Sequence, residues 1–171
     1  MRIVIDGYNL LNALPDLGGI AAYDLEDARY HLLMQLGRYG WLRGHQMTVV
    51  FDGWIAGQPL ERRMQAQGVQ VIYSQRGEQA DEVIRRLAPQ VAHQGVVVTS
   101  DRTLAAQVQQ VGAEVIGAAE FGARLRKALS AGAKGREEAQ ADAPAPASQR
   151  KGAARRPSRA ERARKGKFRN L

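Results

Sequence analysis

The sequence predicts an α/β fold in which helices flank a doubly wound, mainly parallel sheet. Two observations lead to this class. Short runs rich in β-branched residues alternate with helical patterns along residues 1–131, an order typical of βαβ units. Most of these runs are also continuously apolar, which is typical of strands that helices cover on both faces. We therefore expect a single α/β domain over residues 1–131.

The alternation predicts a set of strands and helices in order along the chain. The strands are residues 2–5, 47–51, 69–73, 96–99 and 114–116, and the helices are residues 24–42, 60–67, 80–93, 102–111 and 119–129. Helix 24–42 has the clearest boundaries, because Asp24 is a suitable N-cap and Gly44 lies just past its last turn. Gly68 is likewise expected to follow helix 60–67, while Gly18 and Gly19 are expected in a flexible loop.

The absence of cysteine and of long apolar stretches narrows the class of protein. The 171-residue chain has no Cys, which excludes thiolate zinc sites, thiol nucleophiles and disulfide frameworks and is consistent with a reducing compartment. Asp6 interrupts the first apolar run before a signal-peptide core could form, and no later stretch resembles a membrane helix. We therefore expect a cytoplasmic protein without membrane contact.

The excess positive charge lies in the C-terminal part of the chain. Residues 1–133 contain 13 Lys and Arg against 13 Asp and Glu, whereas residues 134–171 contain 12 against 4, which accounts for the net charge of +8. We expect an Ala/Pro-rich linker at residues 132–149 and a basic tail at residues 150–171. Ser158 and Glu161 have the spacing of a helix capping box, so the tail is a candidate for a helix formed on binding. The tail could contact RNA or the ribosome; a solubilising role and an acidic protein partner are the alternatives.

Acidic residues follow most of the predicted strands. Asp6 ends the first strand, Asp52 the second and Asp101 the fourth, while Asp81 lies at the start of the helix after the third. Because the carboxyl ends of parallel strands meet at one edge of the sheet, these residues are expected to lie together. Each pair of carboxylates at close range repels by roughly 3 kcal/mol at an intermediate dielectric, so the cluster needs compensation.

A divalent cation would supply that compensation. Oxygen ligands favour Mg²⁺ or Mn²⁺ over zinc, and the three histidines are not at ligand spacing. Such ions serve phosphodiester hydrolysis. Structural alternatives remain: Asp81 and Asp101 could be helix caps or first-turn acids, and Asp52 could belong to a turn with Gly53. Asp6 precedes no obvious helix and is the hardest to explain structurally.

Four motifs, in a fixed order, resemble those of a known family. They are Ile5-Asp6-Gly7-Tyr8-Asn9, Phe51-Asp52-Gly53, Tyr73-Ser74 followed by Gly77-Glu78-Gln79-Ala80-Asp81, and Thr99-Ser100-Asp101-Arg102. Over residues 1–129 the sequence resembles the YacP-like group of NYN domains, relatives of the PIN-domain nucleases. The resemblance implies a PIN-like fold, a Mg²⁺ or Mn²⁺ centre and endoribonuclease activity.

The resemblance also implies roles for individual residues. It assigns metal ligation to Asp6, Asp81 and Asp101, with Asp52 as a further acidic catalytic position. Asn9 would orient a ligand or a water molecule. Ser100 could hydrogen-bond a carboxylate or a phosphate in support of the centre.

Other side chains near the predicted edge are candidates for substrate contact. Tyr8 and Trp54 could stack unpaired bases, with ordinary packing as the alternative. Arg102, and less favourably Arg76, could offset backbone charge, although a rim arginine is often a solvated ion-pair partner. Glu82 is better explained as a first-turn acid of its helix.

Three functions remain open from the sequence. The leading hypothesis is a metal-dependent endoribonuclease that cuts single-stranded or messenger RNA, including RNA on the ribosome. The alternatives are a noncatalytic RNA- or ribosome-binding protein that acts through its tail and a structure-specific DNA nuclease, since the same metal chemistry serves either backbone. Cleavage preference, the number of metal ions and the oligomeric state leave no readable mark in the sequence.

Overall fold

The structure, a computed structural model, describes residues 1–53 and 60–141. Within these residues, six strands form one sheet: β1 (Arg2–Asp6), β2 (Gln46–Phe51), β3 (Arg62–Ala66), β4 (Val69–Tyr73), β5 (Gly95–Val98) and β6 (Glu114–Ile116). Their order across the sheet is β3-β4-β2-β1-β5-β6. Every pair is parallel except the antiparallel pair β3–β4, so the predicted class, α/β with a mainly parallel sheet, is confirmed.

Helices cover both faces of this sheet. In the described part of the chain they are α1 (Gly7–Ala13), α2 (Pro15–Ala21), α3 (Leu25–Arg43), α4 (Ala80–Val91), α5 (Arg102–Gln110) and α6 (Ala118–Ala141). Ile3 and Ile5 of β1 pack in a core with α1, α2, α3 and α6. Val4, on the opposite face of the same strand, packs in a second core with α4 and α5. None of the helices described is long and apolar enough to cross a lipid bilayer.

The central position of β1 determines where a ligand can approach. β1 lies between β2 and β5. The next three strands along the chain, β2 to β4, lie on one side of β1, and the last two, β5 and β6, lie on the other side. The strand order reverses at this point, and open α/β sheets bind ligands at the carboxyl ends of the strands there. Asp6 is the last residue of β1.

The prediction for α3 is confirmed at both ends. The Asp24 side chain accepts hydrogen bonds from the backbone N–H groups of Glu26 and Asp27, as an N-cap residue should. Gly44 ends the helix with a φ of 65°, a left-handed conformation that glycine adopts without strain.

The prediction of a helix over residues 60–67 is wrong. Arg62–Ala66 form β3, and the turn to β4 has consecutive positive φ values of 54° at Gln67 and 77° at Gly68. Two such residues are typical of a type I′ hairpin turn. Because β3 lies at the sheet edge and most of its side chains are exposed, it has no apolar pattern that would identify a strand.

Residues 7–21 are helical where a loop was predicted around Gly18 and Gly19. Both glycines lie within α2, which begins at Pro15, a favourable first helical residue. Apolar side chains of this segment are buried against the sheet: Leu10, Leu11, Leu14 and Leu17. Their packing outweighs the low helix propensity of glycine.

The last helix is longer than predicted. α6 continues to Ala141, through the first ten residues of the predicted linker, rather than ending at Leu129. Residues 130–141 are rich in Ala, Glu, Lys and Arg, and the next proline is Pro144, so strong helix formers dominate until a helix breaker arrives. Trp54, residues 142–149 of the linker and the whole basic tail lie outside the described residues.

Candidate active site

The structure places all four predicted carboxylates at the carboxyl edge of the sheet. Asp6 ends β1, Asp52 follows β2, and Asp101 follows β5 as the N-cap of α5. Asp81 lies in the first turn of α4. A cavity of about 550 Å³ opens there, and its lining includes Asp6, Asp52 and Asp81 together with Arg76 and Glu78.

Asp6 is the most buried of these acids, with 8% of its surface exposed. The pKa of Asp6 is raised from 3.8 to about 6, chiefly because burial disfavours the charged form; the Asn9 backbone N–H opposes this rise, and the negative charges of Asp81 and Asp52 add to it. That N–H donates to Asp6 Oδ1 at 3.0 Å, so Asp6 is the N-cap of α1. The expectation that Asp6 precedes no helix is therefore wrong, because Gly7 hides the start of α1 in the sequence. The same carboxylate caps a helix and faces the other acids.

Asp81 experiences the same crowding. Burial raises its pKa, and the nearby charges of Asp101 and Asp52 raise it further. Since each of these acids disfavours ionisation of its neighbours, they lie close enough for their charges to interact. The four acids thus form one electrostatic cluster.

Asp101 and Asp52, like Asp6, are held by backbone donors. Asp101 Oδ1 accepts from the N–H groups of Thr103 at 2.7 Å and Leu104 at 2.9 Å, which is the cap that sequence reasoning offered as its structural alternative. Asp52 Oδ1 accepts from the N–H of Ala80 at 2.7 Å, a contact between the end of β2 and the start of α4. In both residues one carboxylate oxygen has a structural partner.

Asn9 and Ser100 link the two halves of the sheet edge. Asn9 Oδ1 accepts from the backbone N–H of Ser100 at 3.1 Å, across 91 residues of sequence. Ser100 Oγ accepts from the N–H of Ala118, the first residue of α6, at 3.1 Å. Both predicted supporting residues therefore fix backbone segments around the acids.

The predicted substrate-contact residues have different surroundings. The half-buried Tyr8 ring packs edge-on against Phe51 at 5.1 Å between ring centres, and its hydroxyl accepts from Arg29 Nη1 at 2.9 Å. Burial raises the pKa of Tyr8, and Arg29 opposes this rise. Arg102 is exposed at the start of α5. Glu82 is exposed 3.9 Å from Arg85, as expected of a first-turn acid.

Sequence reasoning missed the partners of Ser74 and Glu78. Ser74 is fully buried, and its Oγ accepts from the N–H of Gly53 at 3.0 Å and donates to the carbonyl of Glu78 at 2.7 Å. The nearly buried Glu78 carboxylate accepts from Arg86 Nη1 at 2.6 Å, and Arg86 also pairs with Glu61. Glu78 and Ser74 both lie within the third matched motif, but only tertiary contacts show which groups they hold.

The donor set suits a hard divalent cation. In the described part of the chain, no three His, Asp or Glu side chains are arranged so that they could hold a metal ion. Mg²⁺ does not require such a cage, because it is usually bound by one or two carboxylates and completes its shell with water and substrate phosphate. Asp6 and Asp81 fit this pattern, since burial, and after it the negative charges of neighbouring acids, raise the pKa of both carboxyl groups, and a cation would relieve both effects.

Comparison with known proteins places the chain in one family. A family model for the YacP-like NYN domain matches residues 3–165, which extends well beyond residues 1–129 where the motifs were found. The protein YacP of Bacillus subtilis (strain 168) is 36% identical over 104 residues, which are 59% of this chain and 61% of that relative. The match therefore spans less than two-thirds of the relative's length.

Solved structures show the same architecture. Two crystal structures of Rae1 (YacP) from Bacillus subtilis, one of them of a point mutant, superpose on the chain with a TM-score of 0.71 and 27% identity. The superpositions cover 83% of this chain and 85% and 83% of those chains. Since the family model covers nearly all of the sequence and the fold agrees, the chain belongs to the YacP-like NYN domain family.

Proposed function

We propose that the protein is a metal-dependent endoribonuclease that hydrolyses phosphodiester bonds in RNA. The observation that carries this proposal is the crowding of Asp6, Asp52, Asp81 and Asp101 at the sheet edge, with the pKa of Asp6 raised to about 6. Folding alone gains nothing from such crowding, since every ionised carboxylate disfavours the next. Strongly perturbed acids in a cleft are typical of functional sites.

Membership of the NYN family, with its resemblance to the PIN-domain nucleases, supports nuclease chemistry at this edge. Asp6 and Asp81 would hold Mg²⁺ or Mn²⁺, and Asp101, the third expected ligand, would add negative charge beside them. When bound, such an ion would acidify a water molecule and stabilise negative charge on the phosphate oxygens. In the hydrolysis itself, water attacks phosphorus, the bond from phosphorus to the leaving ribose oxygen breaks, and a proton passes to that oxygen.

The chain's own residues would place the substrate and the acids. The caps on α1 and α5 hold Asp6 and Asp101 at fixed positions, and the Asn9–Ser100 hydrogen bond sets the spacing between β1 and β5. Arg102 and Arg76 would contact the RNA backbone near the scissile phosphate. Tyr8 and Trp54 would stack on unpaired bases, a contact worth about 1 to 3 kcal/mol per base.

The deciding experiment compares matched single-stranded RNA and DNA, incubated with purified protein and Mg²⁺ or Mn²⁺, with and without ribosomes carrying translated messenger RNA. Cleavage of RNA should be lost with EDTA and in Asp6→Asn. The matched control is Asp16→Asn, which removes an exposed acid at the start of α2 and should leave cleavage unchanged.

Other outcomes would replace the proposal with a rival. Preferred cleavage of DNA would identify a DNA nuclease. Retained binding of RNA or ribosomes without metal-dependent cleavage under any condition would identify a noncatalytic binding protein.

The basic tail, residues 150–171, is proposed to strengthen RNA or ribosome binding without reading sequence. On a single strand, each phosphate that the tail neutralises steepens the log–log salt dependence of affinity by about 0.7. Deletion of residues 150–171 should therefore weaken RNA binding and flatten its salt dependence. Unchanged affinity together with an unchanged salt slope would remove the tail from the RNA-binding surface.

A further inference from the structure

The start of α4 is capped from another part of the chain. Its own N-cap residue, Gln79, makes no side-chain capping hydrogen bond. Asp52, 28 residues earlier, instead accepts from the first helical N–H, that of Ala80, at 2.7 Å. By contrast, Asp24 and Asp101 cap the helices that directly follow them. The cap of α4 therefore also connects the end of β2 to the helix that carries Asp81.

Ser74 reinforces this connection from below the surface. The Oγ of this fully buried residue accepts from the N–H of Gly53, next to Asp52, and donates to the carbonyl of Glu78, ahead of α4. Its own N–H donates to the carbonyl of Phe51 at 3.0 Å. One hydroxyl thus fixes the backbone on both sides of the Asp52–Ala80 contact.

The outer end of the same loop is fixed by an ion pair. Glu78, just ahead of α4, accepts from Arg86 in the second turn of that helix at 2.6 Å. The segment between β4 and α4 is therefore held at Ser74, at Glu78 and at Ala80. Asp81 follows immediately, so its position depends on these contacts rather than on its own side chain.

We propose that Asp52 and Ser74 are positioning residues, whose task is to hold Asp81 in place for metal binding rather than to touch the metal or the substrate. Ser74 has no exposed surface from which to touch either. The hydrogen bond of Asp52 reaches the residue before Asp81 on another element, whereas Asp6 and Asp101 cap the helices that directly follow them. This inference rests on the proposed metal-dependent activity and revises the catalytic role first expected of Asp52.

The test compares Mn²⁺ affinity, measured calorimetrically on the full chain, in Asp52→Asn and Asp52→Ala. Both substitutions remove the same negative charge, so any electrostatic loss is shared between them. Only asparagine keeps an oxygen that can accept from Ala80. Since one hydrogen bond contributes about a factor of two to ten, Asp52→Ala should bind Mn²⁺ at least about twofold more weakly than Asp52→Asn.

Ser74→Ala provides a second test. This substitution changes no charge, and its result can be interpreted even if Asp52→Ala does not fold. It should weaken Mn²⁺ binding although Ser74 cannot reach the ion. The matched control is Asp24→Ala, which removes the cap of α3 far along the chain from these loops. It should lower the thermal stability but leave Mn²⁺ affinity unchanged.

Equal Mn²⁺ affinities of Asp52→Asn and Asp52→Ala, or wild-type affinity in Ser74→Ala, would overturn the positioning roles. Asp81→Asn separates this failure from a failure of the proposed function. If Asp81→Asn binds Mn²⁺ as tightly as the wild type, the metal centre itself is wrong and the inference falls with it. If Asp81→Asn loses binding while the two Asp52 variants agree, only the positioning role is wrong.

Discussion

The two ends of the sheet carry polar cavities of similar size but of opposite chemistry. The cavity at the carboxyl ends of the strands, about 550 Å³, is lined by carboxylates. The cavity at the amino ends, about 460 Å³, is lined largely by amides: Gln46, Gln65, Gln70 and Gln90. Amides can form hydrogen bonds with neighbouring polar groups, as Gln70 Oε1 does by accepting from Thr48 Oγ1 at 3.1 Å. Ionised carboxylates cannot hydrogen-bond to one another in this way. Unbalanced charge, rather than cavity volume, distinguishes the candidate active site.

The largest expected effect is a loss of RNA cleavage that follows from a substitution in the cavity at the carboxyl ends but not from one in the cavity at the amino ends. Asp81→Asn removes a proposed ligand and should lower the rate of RNA cleavage at least about 100-fold, because stabilisation of the phosphate charge is worth several kcal/mol. Gln70→Ala, at the amino ends, should leave the rate within about twofold. Cleavage rates at saturating Mn²⁺ measure both. A comparable loss in Gln70→Ala would mean that the amino-end cavity also takes part in the reaction.

A pair of glycine substitutions should separate stability from activity. A Cβ on Gly7 would collide with the Phe51 ring and lie 2.9 Å from the carbonyl oxygen of Val50, and one on Gly95 would lie 2.8 Å from the carbonyl oxygen of Arg2. Because a backbone atom must move in each case, both changes to alanine should cost about 2 to 3 kcal/mol of unfolding free energy. Only Gly7→Ala changes the residue that directly follows Asp6, so only this variant should also shift a proposed metal ligand.

Urea unfolding and cleavage assays on the folded protein would check this pair. Gly7→Ala should lower the Mn²⁺-dependent rate, while Gly95→Ala should keep the wild-type rate in conditions where it remains folded. Equal losses of rate in the two variants would contradict this prediction, because they would show that the loss follows from the general disturbance of the fold and not from a shift of Asp6.

The smallest expected effect is a gain in stability. In the folded protein the pKa of Asp6 is about 6, above its ordinary 3.8, so ionisation disfavours the fold. The penalty is fully present above pH 6 and disappears below about pH 4, where Asp6 is protonated in both states. Asp6→Asn keeps a capping residue and removes the charge, so in EDTA it should stabilise the protein by about 1 to 2 kcal/mol at pH 8.

The difference in unfolding free energy between wild type and Asp6→Asn, followed from pH 8 to pH 4, tests this directly. It should shrink towards zero as the pH falls. Asp81 and Asp52 are coupled to Asp6 by charge, so the difference reports the electrostatic cost of the Asp6 charge within the whole cluster, while acids outside the cluster cancel. A constant difference, or a loss of stability in Asp6→Asn at pH 8, would show that Asp6 is not under electrostatic strain.

The sequence was informative wherever one segment contains its own signals. Asp24 and Gly44 correctly predicted the two ends of α3. The acids at the strand ends indicated the correct edge of the sheet, because the direction of the strands follows from the alternation of β and α. β3 could not be found in this way, since an edge strand with mostly exposed side chains has no apolar pattern, and its Arg, Met, Gln and Ala residues are good helix formers.

The contacts inside the site were beyond prediction for a different reason. The Asp52–Ala80 and Asn9–Ser100 hydrogen bonds join residues 28 and 91 positions apart, and no local pattern specifies such partners. The partnership of Glu78 with Arg86 depends in the same way on how α4 packs beside the loop. Residue types identified the chemistry, whereas the pairing of those residues required the folded chain.

The link between Asn9 and Ser100 has a consequence for the order of events during synthesis. Asp6 and Asn9 leave the exit tunnel of the ribosome early. Ser100 follows 91 residues after Asn9, just behind β5, the strand that pairs with β1. A nascent chain therefore carries the first acid long before its partners can assemble around it. Since long-range strand pairing must come first, the acidic cluster forms only when most of the domain has emerged, and an unfinished chain has no assembled candidate site.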